Sequence, residues 1–338
     1  MKKLKVGVVG LVHDHVWGEM DKVVATKGMG LVAVADHNLP LLHQAVSRHR
    51  GVRAYTNWKR MLDRECIDIG MVAMTNGTTH PVVEELARRR IHIISEKPMS
   101  ARLWQADRML KAAKRYGVKL FINWPSAWNP GLYLAARMVK SGVIGQVYMA
   151  KWRGGHNGPK EIGCSPYFWK WLYNRKLNGA GALADYAGYG GMVLRTVMGR
   201  QPVAVLAVAR KLTKKYSVPD DNAVLTLEYP KAFGILEASW SNVAAPPWPY
   251  GAFQGTKGAL GISGRNVLLW LPGKQVREIK APPLPAGHRN AAEYMLWAIR
   301  NRKRIVGPCS PEVSRDAQEI IEAGIRASAS GRKVRLPL

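Results

Sequence analysis

The sequence predicts an α/β chain in two parts: a doubly wound parallel sheet, then an α+β region with a large, mostly antiparallel open sheet. Two observations carry this prediction. Up to about residue 123, short apolar runs alternate with amphipathic stretches at βαβ spacing, and parallel strands need helical crossovers on both faces. Beyond it, apolar runs succeed one another across Gly/Pro turns without intervening helices, as antiparallel strands do. A length of 338 residues suits two domains of roughly 150 residues each, and we place them at 1–123 and 124–338.

In the first part the strands read as Val6–Val9, Leu31–Ala35, Ala54–Tyr55, Ile69–Met74, His92–Ser95 and Lys119–Asn123. The helices between them read as His15–Thr26, Pro40–His49, one beginning over Trp58–Leu62, Pro81–Arg89 with proline in its first turn, and Ala101–Tyr116. In the second part a helix over Leu132–Ser141 precedes a strand over Val147–Trp152. An irregular Gly/Trp/Tyr-rich stretch and a helix over Gly188–Met198 follow. Strands are expected at Val203–Lys211, Ala223–Tyr229, Gly234–Trp240, Ala259–Ser263 and Val267–Leu271, and helices at Ala291–Asn301 and Pro311–Ser328.

Composition excludes several classes. Apolar residues are 47% and charged residues 22% of the chain, ordinary globular values that rule out disorder. No stretch reaches the roughly 18 apolar residues of a membrane helix. The basic N-terminus and its apolar run to Val12 end at His13-Asp14-His15 without a small-residue cleavage site, so a cytoplasmic protein is expected. Cys66, Cys164 and Cys309 are scattered and without a C-x-x-C pair, against disulfides or a thiolate zinc site. The net charge of +28 attracts anions generally. Its cations are spread through the chain, so a solvated basic surface is expected and no specific nucleic-acid partner.

The turn after the first strand, Gly10-Leu11-Val12-His13-Asp14-His15, stands where a dinucleotide fold places G-x-G-x-x-G. Only Gly10 fits, with Val12 and His15 at the other glycine positions, so the turn read alone also suits a ligand-free connection. Asp36 ends the second strand at the distance expected of an acid on the ribose 2′-hydroxyl. It favours NAD over NADP without excluding NADP, and as a plain turn or N-cap aspartate it needs no ligand. His13 and His15 have the spacing of a barrel-type metal pair, but the second half does not continue as a barrel, and no metal site is assigned.

Glu96-Lys97-Pro98 follows a late strand at the edge where open α/β sheets bind ligands. There, burial is expected to lower the lysine pKa and let it donate a proton to an alkoxide. Asp185 and Tyr189 are four residues apart and share a face if helical. A nearby lysine would stabilise the phenolate as a base, although a capping aspartate and a packed tyrosine fit the same spacing. Among the tryptophans, Trp124, Trp128, Trp152, Trp169, Trp171, Trp240 and Trp248 fall in the second half. Packing explains most, while Trp124, Trp128 or Trp152 beside the cleft suit the CH face of a sugar. His156 and Asn157, with Asn123, are candidate hydroxyl contacts.

Taken in order, several motifs resemble the family of glucose–fructose oxidoreductase, inositol 2-dehydrogenase and the rhizopine catabolism protein MocA. They are the Gly10 turn, Asp36, Thr75-Asn76-Gly77-Thr78-Thr79-His80, Glu96-Lys97-Pro98, Asn129-Pro130, Ser141-Gly142-Val143-Ile144-Gly145, Gly181-x-Leu183-x-Asp185 and the end Ala327–Val334. The resemblance implies an NAD(P)-binding Rossmann domain, a C-terminal domain whose sheet forms a dimer or tetramer interface, and a carbohydrate-like substrate. It implies cofactor contacts from Gly10, Val12, His13, Asp36, Thr75, Asn76, His80, Glu96 and Lys97. Catalysis would fall to Lys97, Asp185 and Tyr189, with tyrosine where histidine is usual. The expected reaction moves hydride between nicotinamide and a secondary hydroxyl or ketone. Rival expectations are transient oxidation that drives glycoside cleavage with recycled NAD, and a non-catalytic sensor with an altered cofactor turn. Two lost glycines, Asn76 for proline and Ala187 for glycine are the departures from the family pattern.

Overall fold

In the computed structural model, which describes residues 2–244 and 249–338, the first sheet forms as its apolar strands require. Its chain order is β1 (Leu4–Val9), α1 (His15–Ala25), β2 (Met29–Ala35), α2 (Leu39–Arg48), β3 (Arg53–Tyr55), α3 (Trp58–Arg64), β4 (Ile69–Val72), α4 (Thr79–Arg88), β5 (His92–Glu96), α5 (Leu103–Tyr116) and β6 (Leu120–Asn123). The strands pair in the order β3-β2-β1-β4-β5-β6, all parallel. Strand order therefore reverses between β1 and β4, which opens a crevice at the carboxyl ends of the strands. β4 is buried along its whole length, as a strand covered by helices on both faces must be.

The remainder runs α6 (Pro130–Lys140), β7 (Val147–Gly155), α7 (Pro166–Leu172), α8 (Arg175–Asn178), α9 (Gly188–Met198), β8 (Ala204–Arg210), β9 (Asn222–Tyr229), β10 (Ala232–Ser239), β11 (Gly251–Gly255), β12 (Gly258–Ser263), β13 (Asn266–Trp270), β14 (Arg277–Ile279), α10 (Ala291–Arg300), α11 (Pro311–Ser330) and β15 (Val334–Arg335). These strands form one sheet in the order β14-β13-β12-β11-β7-β10-β9-β8-β15. It departs from a pure meander at three places, β11-β7, β7-β10 and β8-β15. At the second of them β7 lies parallel to β10, because α7, α8 and α9 return the chain so that β8 starts in the same sense as β7 and the β8-β9-β10 meander follows. β9 and β10 alternate buried and exposed residues, so one sheet face packs and the other is open.

The two sheets share one apolar core. α11 bridges them, with its buried Glu322 accepting from Arg102 Nε at 2.9 Å and Arg102 Nη2 at 2.7 Å. The irregular Gly/Trp/Tyr stretch also closes onto the first sheet. Phe168, Trp171, Leu172, Ala182 and Trp240 make a small cluster against Val12, and Trp171 Nε1 donates to the Val12 carbonyl at 3.2 Å. Of the tryptophans named from sequence, Trp248 lies outside the described residues.

Candidate active site

The crevice is built from strand ends. Gly10 leaves β1 with φ +84°, a conformation that penalises any β-carbon. A Cβ there would come within 2.5 Å of Met74 Cγ and 2.9 Å of the Ala73 carbonyl oxygen. Asp36 at the end of β2 fixes the turn by accepting from the Leu11 amide at 2.6 Å and from the Asn38 amide and side chain at 2.8 and 2.7 Å. α1 then starts without an acidic residue in its first turn. Its N-cap Asp14 gives its carboxylate to the Ser165 amide and hydroxyl, each at 2.7 Å, which leaves the helix amides available to an anion. The close backbone approach at Gly10, the open helix terminus and Asp36 together fit a dinucleotide, despite Val12 and His15 at two glycine positions. Gly10→Ala is expected to lower stability by at least about 1–2 kcal/mol from the positive φ alone, read as a reduced thermal midpoint. An unchanged midpoint would show that the turn relaxes freely.

At the end of β5, Lys97 is buried and its Nζ donates to Asp185 Oδ1 at 2.6 Å. The other Asp185 oxygen accepts from Trp240 Nε1 at 3.0 Å, a contact no sequence spacing signalled because Trp240 stands just beyond the distant β10. Asp185 lies in a π-helical turn, Leu183–Ala187, that precedes α9. Tyr189 nevertheless reaches the same lysine, whose Nζ sits 4.7 Å from the centre of the Tyr189 ring. The three expected catalytic residues thus meet, but their electrostatics differ from expectation in two ways. Burial alone would lower Lys97, yet Asp185 outweighs it and holds the ammonium above the ordinary lysine range; reciprocally, against the upward pull of burial, Lys97 keeps Asp185 below its usual value. Tyr189 is pushed up to about 12 because burial exceeds the opposing effect of Lys97. It is a protonated phenol at neutral pH rather than a ready phenolate.

Glu96 beside it is buried too. Its Oε1 accepts from Asn123 Nδ2 at 2.7 Å, and its Oε2 meets His15 Nδ1 at 3.0 Å. Burial pulls its pKa upward, but the histidines and Asn123 prevail and hold it at about 2. His13 packs on Phe168, ring centres 4.5 Å apart, and burial, reinforced by His15, takes its pKa down to about 3. Thr75 stands half-exposed just past β4 on the same edge.

Several sequence assignments are corrected by where the side chains go. Asn76 is buried and donates to Asn178 Oδ1 at 2.7 Å, joining the first sheet's edge to α8, so it is a joint rather than a cofactor contact. His80 turns into the groove between α4 and α5 against Trp104, ring centres 4.9 Å apart. Asn123 is buried between Glu96 and the Trp128 indole, 3.2 Å away, and orients Glu96 instead of a substrate. Trp124 is fully buried and donates to Ser314 Oγ at 3.0 Å. Trp152 is buried against Tyr250. Trp128 stacks on Phe121 with planes 6° apart, one face covered. Trp124 and Trp152 therefore offer no open platform for a sugar. His156 follows β7, and both Asp185 and Lys97 influence its charge while burial lowers its pKa. Its Nδ1 accepts from the Gly158 amide at 2.8 Å, which leaves Nε2 as a donor. Asn157 lies next to it, its carbonyl held by Lys214. A cavity of about 790 Å³ lined by Tyr133, Arg137, Val197, Leu284 and His288 lies elsewhere and contains none of these residues.

Comparison with known proteins agrees with the geometry. Residues 4–124 match the GFO/IDH/MocA oxidoreductase family, NAD-binding Rossmann fold, and residues 133–261 match the GFO/IDH/MocA C-terminal domain. D-apiose dehydrogenase of Paraburkholderia graminis is 27% identical over 139 residues, 41% of this chain and 36% of that one. Levoglucosan dehydrogenase of Pseudarthrobacter phenanthrenivorans is 23% identical over 204 residues, 59% of this chain and 46% of that one. The matched stretches thus span less than half of these relatives' length. The crystal structure of aldose-aldose oxidoreductase from Caulobacter crescentus superposes with a TM-score of 0.82 at 23% identity, covering 99% of this chain and 100% of that one; at that identity it shows the fold alone. Among the described residues no helix is long and apolar enough to cross a membrane.

Proposed function

The chain belongs to the GFO/IDH/MocA family of NAD-binding oxidoreductases, and from that premise we propose that it transfers hydride between NAD(H) and a secondary hydroxyl or ketone of a sugar, cyclitol or related molecule. The observation that carries this is the convergence of the Lys97 ammonium and the Tyr189 phenol at the carboxyl edge of the parallel sheet, beside the Gly10 turn. Dehydrogenases of D-apiose and levoglucosan among the relatives point to the same substrate class.

Gly10, Asp36 and the open start of α1 would hold the dinucleotide, which when bound supplies or accepts the hydride at its nicotinamide. Lys97, kept charged by Asp185, donates a hydrogen bond to the substrate oxygen and stabilises negative charge as it develops there. Asp185 fixes Nζ, and Trp240 fixes Asp185. Tyr189 donates a proton to the oxygen when a ketone is reduced and takes one when an alcohol is oxidised. With a pKa of about 12 the phenol stands protonated at neutral pH, the form that donates in ketone reduction. His156, with Nε2 free to donate, and Asn157 would hold neighbouring hydroxyls. Leu206, Val208, Val224 and Phe233 lie exposed on the open sheet and support self-association through that face.

Calorimetric titration with NAD(H) and NADP(H) at low and high salt tests the premise. Micromolar NAD(H) affinity that survives salt is expected of a built site. Binding that disappears with salt would leave only phosphate attracted by the +28 charge, and the sensor reading would replace the enzyme.

A further inference from the structure

The structure gives His13 and His15 a partner the sequence did not reveal. His15 Nδ1 lies 3.0 Å and His13 Nε2 lies 3.9 Å from a single atom, Glu96 Oε2. The three donor atoms all fall within 4.8 Å of one another. Two imidazole nitrogens and one carboxylate oxygen, converging from the β1 turn, the start of α1 and the end of β5, make a two-histidine, one-carboxylate set. We propose that this set binds one divalent transition-metal ion of the zinc type, beside Lys97.

Four features support a built site over a chance ion pair. The second Glu96 oxygen is held by Asn123 at 2.7 Å, which turns Oε2 toward the imidazoles, as outer-shell partners of metal ligands do. His13 is walled by Phe168 and Trp171, ring centres 4.5 and 5.9 Å away, so its ring direction is fixed by packing. The neighbouring cation, Lys97, is neutralised by Asp185. Finally, the spacing is right: tetrahedral zinc with bonds near 2.1 Å needs donors about 3.4 Å apart, and the two distances to Glu96 bracket that value. His15, with 35% of its side chain exposed, is the ligand with room to close the remaining gap. Binding through His13 Nε2 places a proton on Nδ1, which ends the long 3.4 Å contact from the His15 amide, a weak bond to lose. Three protein ligands leave coordination positions open on the His15 side, as in catalytic rather than structural zinc sites.

The inference stands apart from the oxidoreductase reading. The test is calorimetric titration of the chelator-stripped full chain with zinc chloride, paired with cobalt(II) spectra of the same protein. One equivalent bound per chain is expected, with visible cobalt bands of a low-symmetry N/O site, and His15→Ala and Glu96→Gln should each weaken binding at least about 100-fold. His15 is partly exposed, so the His15→Ala chain carries the comparison even where Glu96→Gln fails to fold. Failure to take up a stoichiometric ion, or uptake unchanged in His15→Ala, would overturn the assignment. NAD(H) binding to the stripped chain is measured separately, so that failure to bind the metal and failure to bind the dinucleotide are told apart.

Discussion

Replacing Lys97 by methionine is expected to reduce kcat/KM for a sugar substrate on the order of 10²–10⁴-fold and to destabilise the fold by about 3–5 kcal/mol. The first loss follows from removing the one fixed positive charge aimed at the reacting oxygen. The second follows from Asp185, which would remain buried with only the Trp240 indole to satisfy it. The 2.6 Å buried pair makes both fall together. The double change Lys97→Met with Asp185→Asn separates them. It removes both charges, keeps an acceptor for Trp240, and should recover most of the stability without recovering turnover. The sign of the pH dependence is fixed by the pair. Asp185 is depressed, so its contribution is present above the unfolded aspartate value and fades as pH falls through its folded value. Lys97 is raised, so its contribution is present below the unfolded lysine value and fades only at strongly alkaline pH. In Lys97→Met the unpaired Asp185 is pushed up by burial, so the stability difference from wild type should stay level toward about pH 10 and shrink as pH falls, beginning above the ordinary aspartate range. Turnover within a few-fold of wild type would remove Lys97 from the mechanism.

The fold was legible because each first-part strand is a short apolar run between turn residues, and β4, β5 and β6 match their sequence readings to within two residues. What was not legible depended on partners remote in sequence. β11, the short β14, and helices α7 and α8 lack clear periodicity: β11 forms between β7 and β12 and β14 on the edge of β13, while α7 and Leu177 of α8 join the Phe168–Trp171–Trp240 cluster that closes over Val12. The candidate site divides the same way. Lys97, Asp185 and Tyr189 could be named from their motifs, since the Glu-Lys-Pro turn and the four-residue spacing are local. Whether Lys97 is lowered or raised is decided by a residue 88 positions away, and the sequence reading weighed burial without that partner. The tryptophans failed for a related reason. A large ring near a strand end looks available to a ligand, but in Trp124 and Trp152 the core took it first. The His13–His15 pair was seen, but its third ligand on β5 was not.

The pH profile of alcohol oxidation should rise about tenfold per pH unit from pH 7 to beyond 9, without a plateau, if Tyr189 is the base. A base acts in its deprotonated form, and a phenol near 12 is only about 10⁻⁵ ionised at pH 7. Raising pH therefore supplies the reactive species in direct proportion. Ketone reduction should show the opposite economy of protons: the phenol is almost fully protonated through this range, so its rate stays level until strongly alkaline pH. The comparison also tests another titratable group in the crevice. His156 is lowered from its ordinary value by burial, and were it the base, oxidation would level off above about pH 6.5. Its hydrogen bonding argues against that role. Nδ1 already accepts from the Gly158 amide, so the neutral ring carries its proton on Nε2 and faces the crevice as a donor. Tyr189→Phe should then abolish the alkaline rise and leave NAD(H) affinity nearly unchanged, whereas His156→Gln, which keeps a donor, should raise KM more than it lowers kcat. A plateau near neutrality in wild type that vanishes in His156→Gln would transfer the proton from the tyrosine to the histidine.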